Sequence, residues 1–505
     1  MKAAIPFTTS SGHQYFYSSH KKQFLNSHPL INHFISLSAN TTRFQSFIKS
    51  TGLKHTIHIP GIGRFSQADF QYYLRKYHFL RKNGFFKPGI QKNREGLVPP
   101  NRIEQNLAQT KQIIFETTED CNLDCIYCTY SKFYYNKKRD RNNISQDDAL
   151  KLLDLVLGKR RANPDQELAV SFYGGEPLKN FSFIENIVNH VNNHKSSALR
   201  IKYSMTTNGL LLKKYIAYLV ENDFELAISL DGDEFANSFR VLKTNRKPSF
   251  ELVSRNIDMV REKYPSYFDR RVIFLTVRHS RNSLKTIHEY FSSKYGKTPI
   301  MSTITTTGVV GECQDEFRDT FLKSQLPSDD NYVYMHEMFT RHPFISETAE
   351  IFERFGGFVF RKPKQLLNPK GRRKDNIKYL PTATCSPFDL RIYMSADGGI
   401  YPCEHISRIF ELGAVRDSLI DLDPEKITGT YNDYFRKIRK LCNQCFLSDN
   451  CKECIFNTGI ETGIPKCEFF MNRDKFTSYL IQIFDHLEND QLLFARIRDE
   501  AFLSK

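Results

Sequence analysis

The sequence predicts an α/β fold built on a partial (β/α)6 barrel, and three observations carry that expectation. Six short apolar runs alternate with segments of helical periodicity between about residues 111 and 306. Every chemistry-bearing motif in that stretch follows the end of one of those runs. The chain is also long, at 505 residues, enough for two or three domains. Strand-then-helix units in series imply a parallel sheet, and curling that sheet places the chemistry at the C-terminal strand ends.

Taken in order, residues 1–40 are rich in His, Ser and aromatics without a period and predict no element. A turn follows at Pro60, Gly61 and Gly63. Ser66 then caps a helix whose apolar face is Phe70, Tyr73, Leu74, Tyr77 and Leu80, with Gly84 placed to stop it. A polar stretch with Pro99 and Pro100 separates this unit from the next. The six strands are expected at Ile113–Thr117, Leu168–Phe172, Ile201–Met205, Glu225–Leu230, Val272–Val277 and Ile300–Thr305. Helical patterns between them include the segment after Ser145, with Ala149, Leu152, Leu153 and Val156, and another around Leu212–Val220. Residues 310–384 are irregular, basic and aromatic, 385–467 are cysteine-rich, and Phe476, Leu480, Phe484 and Leu487 mark a last packing helix. The expected divisions are 1–105, 106–310, 311–384, 385–470 and 471–505.

The formal net charge of +16 is uneven: residues 1–110 hold fifteen Lys/Arg against three Asp/Glu. Such a segment suits an acidic partner, nucleic acid or acidic peptide, or is simply a solubilising surface. No run approaches the roughly 20 apolar residues of a membrane span and no signal segment opens the chain, so the expectation is a cytoplasmic protein with no membrane partner. Eleven cysteines in that setting read as metal ligands or catalytic thiols rather than a disulfide framework.

The first strand runs into Cys121, Cys125 and Cys128 at CxxxCxxC spacing. Three thiolates on one loop can hold three irons of a 4Fe-4S cube and leave the fourth iron open to a ligand. A partial zinc site is the other reading, but structural zinc wants four ligands and no fourth is near in sequence. The second strand ends in Gly174, Gly175, Glu176 and Pro177, where glycines allow close backbone approach and a carboxylate can accept from an ammonium. The third ends Thr206, Thr207, Asn208, Gly209 and the fourth Ser229, Leu230, Asp231, Gly232.

These motifs together resemble the radical S-adenosylmethionine (radical SAM) superfamily. The resemblance implies a 4Fe-4S cluster on Cys121, Cys125 and Cys128 and S-adenosyl-L-methionine bound by its open iron. It further implies that Gly174, Gly175 and Glu176 meet the methionyl amino group, that Asn208 lines the cofactor, that Ser229 and Arg240 meet ribose and carboxylate, and that Tyr127 packs near the adenine. The interval from Ser229 to Arg240 is one residue shorter than the common pattern.

Downstream, Cys385 is followed by twelve residues, Gly398, four residues and Cys403, and then come Cys442, Cys445, Cys451, Cys454 and Cys467. Alone, the four cysteines of 442–454 also fit a zinc ribbon. The whole series resembles the SPASM iron-sulfur domain, with Cys451 to Cys454 one residue tighter than usual. That resemblance implies two auxiliary clusters: an outer one on Cys442, Cys445, Cys451 and Cys467, and an inner one on Cys385, Cys403 and Cys454. Some relatives place a further cysteine six residues after the first, where this chain has Arg391, so an open inner iron is expected. Cys313 lies outside the motifs, as a structural thiol or a catalytic one.

The segments Ile400–Ile406 and Glu411–Val415, and the Tyr-rich helix ending Asn83, Gly84, Phe85, Phe86, resemble SPASM-type maturases of ribosomally made peptides. That implies an N-terminal α+β domain binding the leader of a precursor peptide, an electron donor such as flavodoxin or ferredoxin, no nucleic-acid partner, and a thioether cross-link as product. Formylglycine formation on a sulfatase, carbon-carbon cross-linking, epimerisation, and a zinc-ribbon nucleic-acid binder are the other readings.

Overall fold

The structure, a computed structural model, describes all residues except 1–3, 22, 39, 52–54, 89–93, 135–141, 161–166, 195–198, 305–307, 323–377, 449–450, 452, 468 and 490–505. Most of the region expected to be irregular at 310–384, the end of the strand expected to reach Thr305, and the tail of the last division lie outside the described residues.

Residues 1–40, expected to form no element, instead open with a three-stranded antiparallel sheet, β1 (Ala4–Thr8), β2 (Gln14–Ser18) and β3 (Gln23–Asn26), and a helix, Pro29–Leu37. The sheet is covered on both sides. Ala4, Phe16 and the partly buried Leu25 face the helices Pro29–Leu37 and Gln67–Lys82. Ile5, Phe7 and Tyr17 face Phe476, Leu480 and Phe484 of the helix Arg473–Asn489, far along the chain. The turn at Pro60 to Gly63 joins the hairpin β4 (Thr56–Ile59) and β5 (Gly63–Ser66). Ser66 caps the next helix by accepting from the Asp69 N–H at 3.0 Å. At its end Gly84 takes φ +82° while Phe85 N–H returns to the Leu80 carbonyl, the left-handed cap expected there.

The barrel wall is β6 (Gln112–Thr118), β7 (Leu168–Gly174), β8 (Ile201–Thr207), β9 (Glu225–Ser229), β10 (Val272–Arg278) and β11 (Ile300–Thr303). All six are parallel and adjacent in chain order, as repeated right-handed β/α units produce. β6 is buried on both faces along Ile113–Thr118, as expected of a strand packed between a helical layer and a filled interior. Helices Gln146–Arg160, Phe181–His194, Leu212–Glu221, Phe250–Lys263 and Leu284–Tyr295 bury their Leu, Ile, Val and Phe against the wall, each such side chain contributing about 1.5–3 kcal/mol.

The sheet does not end at β6. β12 (Arg391–Met394) joins it in parallel, and β13 (Gly399–Tyr401), β14 (Gly413–Arg416) and β15 (Leu419–Asp421) continue antiparallel, giving ten strands in one sheet. The cysteine-rich region is thus hydrogen-bonded to the barrel wall. Glu116 at the end of β6 is buried, and it accepts from Ala396 N–H at 2.9 Å and from Arg408 Nη2 at 2.5 Å.

The stretch leading to Pro99 and Pro100, expected to separate two units, is instead a packed joint: Arg94, Gly96 and Val98 are buried, while Leu97, Pro99 and Pro100 stay exposed. Val98 exchanges two hydrogen bonds with the Asn432 amide on the helix Pro424–Cys442, at 2.8 and 2.9 Å. Gly96 lies so close to Tyr379 that a Cβ there would come within 2.6 Å of its carbonyl. Helix Asn101–Gln109 packs Ile103 and Leu107 into the barrel core, so the expected division at 105/106 falls inside a helix.

Candidate active site and thiol sets

The loop after β6 carries Cys121, Cys125 and Cys128 at the C-terminal end of the barrel. Its backbone is pinned by a neighbouring segment: Asp124 N–H donates to the Val241 carbonyl at 2.8 Å and Ile126 N–H to the Phe239 carbonyl at 3.0 Å. Cys121 is buried, and its Sγ accepts from Leu123 N–H at 3.4 Å and from the Asn208 amide at 3.6 Å. Burial pushes the Cys125 thiol up to about 12, and Cys128 and Cys121 add to that while Arg240 opposes it. Thiols set close together in a buried loop ionise together only against a positive centre, which is what a cluster's irons supply. The donor set therefore fits a thiolate-ligated cluster.

Gly174 and Gly175 let the end of β7 lie against this loop. Gly175 N–H donates to the Thr118 carbonyl at 2.8 Å and Glu176 N–H to the Asp120 carbonyl at 2.9 Å. A Cβ on Gly175 would sit 2.2 Å from the Asp120 carbonyl oxygen, and Gly174 holds φ +135°. The close approach expected toward a cofactor is made first to the cysteine loop itself. Glu176 is fully buried, accepting from the Thr207 hydroxyl at 2.7 Å, Asn208 N–H at 2.8 Å and Leu178 N–H at 3.2 Å. Burial pushes its carboxyl up to about 7 against those three donors. The carboxylate thereby fixes the β8 end and with it Asn208.

Asp231, after β9, organises the opposite wall. Its carboxylate is fully buried and takes Arg240 bidentately at 2.9 and 2.9 Å, Tyr127 Oη at 2.5 Å and Val277 N–H at 3.0 Å, with His279 Nε2 at 3.6 Å. Burial works to raise its pKa, yet Arg240 and His279 hold it well below the usual carboxylate range. Tyr127 is buried rather than a surface-loop tyrosine, with the Arg240 guanidinium 5.5 Å from its ring centre. Ser229 ends β9, half-buried and paired in register with Leu275. Sequence reading passed over Asp231 as an anchor, and His279 altogether. The signal was there for the first, an acidic residue at a strand end before a glycine.

The seven downstream cysteines fall into two groups. Cys442 is pushed up to about 12 by burial and then by Cys451, Cys445 and Cys467, with Arg94 opposing. Cys467 is pushed up to about 11 by burial, with Glu453, Cys451 and Cys445 adding. Separately, Cys403 is pushed up to about 11 by burial, with Glu404 and Cys454 adding, and Cys454 itself is raised by burial and by Cys385. Tyr431 lies within reach of Cys454, Cys403 and Cys385 together. Arg391 donates to both Glu404 oxygens at 2.8 and 3.1 Å, so a guanidinium ion pair stands beside Cys403. Cys313 is half-buried, its Sγ 3.9 Å from the Lys132 carbonyl, and it packs against the same aromatic cluster as Cys125. Among the described residues no three Cys, His, Asp or Glu groups draw together around a single ion.

Residues 115–282, which hold the cysteine loop and both walls of this site, match the model of the Radical SAM superfamily. That stretch is a radical SAM domain. The cofactors of that superfamily are a 4Fe-4S cluster and S-adenosyl-L-methionine. The chain is 28% identical over 323 residues to an uncharacterised protein of Methanocaldococcus jannaschii, spanning 64% of this chain and 94% of that one. It is 34% identical over 140 residues to the radical SAM cyclopropyl synthase TigE of Paramaledivibacter caminithermalis, spanning 26% of this chain and 29% of TigE. It is 24% identical over 184 residues to a cysteine-type anaerobic sulfatase-maturating enzyme of Clostridium novyi, spanning 36% of this chain and 48% of the relative. The chain thus spans less than half the length of the relatives with a named activity. Among solved structures, native anSMEcpe with bound AdoMet aligns at a TM-score of 0.49 and 18% identity, over 78% of this chain and 99% of that one. No helix among the described residues is long and apolar enough to cross a membrane.

Proposed function

We propose that the chain is a radical SAM enzyme, a cytoplasmic maturase that modifies a ribosomally made precursor peptide, forming a thioether cross-link. The observation that carries this reading is the division of ten cysteines into one loop at the barrel end and two groups downstream, with the Arg391–Glu404 pair beside Cys403 where a further thiol would close the inner group. The bound cluster and S-adenosyl-L-methionine supply one-electron cleavage of the cofactor and the radical that takes a hydrogen atom from the substrate. Cys121, Cys125 and Cys128 hold that cluster. Gly174, Gly175 and Glu176 brace the loop and orient Asn208 toward it, while Ser229, Tyr127 and Arg240 line the nucleoside and carboxylate side. Asp231 keeps Arg240 and Tyr127 in fixed orientation, so no reorganisation is needed when the cofactor enters.

In a thioether step the substrate carbon gives up a hydrogen atom, the substrate thiol a proton, and a carbon-sulfur bond forms with one electron in excess. Cys385, Cys403 and Cys454 would hold an inner cluster and Cys442, Cys445, Cys451 and Cys467 an outer one, and these would supply an acceptor for that electron. The N-terminal sheet recognises the leader, an electron donor such as flavodoxin or ferredoxin reduces the barrel cluster, and nucleic acid takes no part.

The relatives named as sulfatase-maturating enzymes support a second reading, oxidation of a Cys or Ser to formylglycine. Mass spectrometry of a treated precursor after thiol alkylation and aldehyde labelling separates the two, because formylglycine made from Ser has a thioether's mass change but carries an aldehyde and leaves the thiols free. Thioether formation removes two hydrogens and keeps the sulfur, whereas formylglycine formation from Cys loses the sulfur. A product lacking sulfur, or iron near one cluster's worth per chain after reconstitution, would sink the first reading.

A further inference from the structure

Arg94 belongs to the joint between the N-terminal unit and the barrel, and nothing in the sequence marks it. Its side chain is buried, at 6% exposure. Nη1 donates to the Pro381 carbonyl at 3.3 Å and the Leu380 carbonyl at 3.5 Å, and Nη2 donates to the Ser448 carbonyl. Ser448 closes the turn begun at Cys445, its N–H donating to the Cys445 carbonyl at 3.3 Å. The guanidinium is therefore locked against the loop of the outer cysteine group, close enough that its charge is felt at both Cys442 and Cys445.

We propose that Arg94 is the charge-compensating residue of the outer cysteine group, raising the reduction potential of the cluster held there and tying that cluster to the N-terminal unit. This rests on the reading that the outer group holds a cluster. A cluster on four thiolates gains negative charge on reduction, and a fixed cation in a low-dielectric setting favours the more negative state. Groups around the ligands set such potentials through charge and hydrogen bonding. Arginine suits the position because it stays charged when buried and its planar fork meets several carbonyls at once.

The same loop also touches the N-terminal unit from the other side. Phe446 stacks on Phe476 with ring centres 5.3 Å apart, and the Cys445 Sγ accepts from Met471 N–H at 3.5 Å. Phe476 in turn packs against Tyr17 of β2, 5.6 Å between ring centres. The outer group is thus held between the joint that leaves the N-terminal unit and the helix that covers its sheet.

The test compares the full, anaerobically reconstituted chain with Arg94→Gln and Arg94→Lys, by iron content and by a redox titration followed by electron paramagnetic resonance. The expected result is that Arg94→Gln keeps its iron while one auxiliary signal appears only at lower potential, with Arg94→Lys close to the parent. Unchanged auxiliary potentials in an iron-replete Arg94→Gln would overturn the proposal. Should the Gln variant lose one cluster's worth of iron, the Lys variant decides. Retention of iron and potential upholds the role of charge, and equal loss reduces Arg94 to a hydrogen-bonded strut. A parent that binds a single cluster would instead remove the reading on which the proposal rests, a distinct outcome.

Discussion

Two buried carboxylates at the strand ends have opposite dependences on pH. Asp231 is held well below the carboxylate range, so its contribution to stability is complete above the unfolded value near ~3.9 and is lost only as pH falls below it. Glu176 is raised to about 7, so the folded state binds its proton more tightly than the unfolded chain does. The cost of ionising it grows as pH rises from ~4.5 through 7 and is constant above, on the order of 3 kcal/mol when complete. Glu176→Gln should therefore be stabilised relative to the parent as pH rises from 5 to 7, and the difference should level off above 8. Urea midpoints across that range measure it, and a difference that does not vary with pH would refute the raised value. Gly175→Ala is a sharper perturbation, since its Cβ would meet the Asp120 carbonyl at 2.2 Å and neither backbone can yield without moving Cys121. A cost of about 1–3 kcal/mol is expected with loss of the barrel cluster, while auxiliary iron remains. Iron analysis of the variant tests it.

At the scale of elements, what the sequence reveals depends on who covers each face. The six barrel strands are legible because continuous apolar runs such as Ile113–Phe115 and Leu226–Ile228 recur between helical periods, and the motifs then mark their ends. The N-terminal strands are illegible for a physical reason. Successive residues of β1 and β2 are buried against two different layers, Ala4 and Phe16 on one side and Ile5, Phe7 and Tyr17 on the other, so no polar alternation survives. One of those layers is the helix Arg473–Asn489, which no local pattern can announce. The grouping of the downstream cysteines is implied by the resemblance to the SPASM pattern and not by spacing alone, which also fits a zinc ribbon at 442–454, whereas Arg94, Asp231 and His279 act through partners distant in sequence. Phe484 meets Phe7 and Tyr15 with ring centres 5.1 and 4.7 Å away, so Phe484→Ala should cost about 3–5 kcal/mol. The loss should appear in the N-terminal unit first, as faster amide exchange in β1 and β2 than in β6. Uniform exchange across both would show that the helix is not what holds the sheet.

At the scale of the whole molecule, the position of the joint decides how the leader-binding role can be tested. Removing residues 1–105 deletes Arg94, Val98 and Ile103, and so strips the outer cysteine group of its cation and the barrel core of a packed helix. A chain of residues 89–472 instead keeps the joint and drops both the N-terminal unit and the helix Arg473–Asn489 that covers its sheet. The shorter cut at 89 is expected to retain iron and slow cleavage of S-adenosyl-L-methionine without substrate, whereas the chain beginning at 106 loses outer-group iron. The chain of residues 89–472 should fail to modify a leader-bearing precursor. Binding of the leader by the intact protein should weaken with added salt, because attraction between exposed charges is screened over ~8–10 Å, and residues 1–110 hold fifteen Lys/Arg against three Asp/Glu. Strand addition to the sheet edge would leave a remainder that salt does not remove. Fluorescence anisotropy of a labelled leader, read at two salt concentrations alongside mass spectrometry of the modified precursor, measures both. Equal modification by the chain of residues 89–472 would assign the basic N-terminal unit a structural role and move leader recognition to the barrel or the cysteine-rich region.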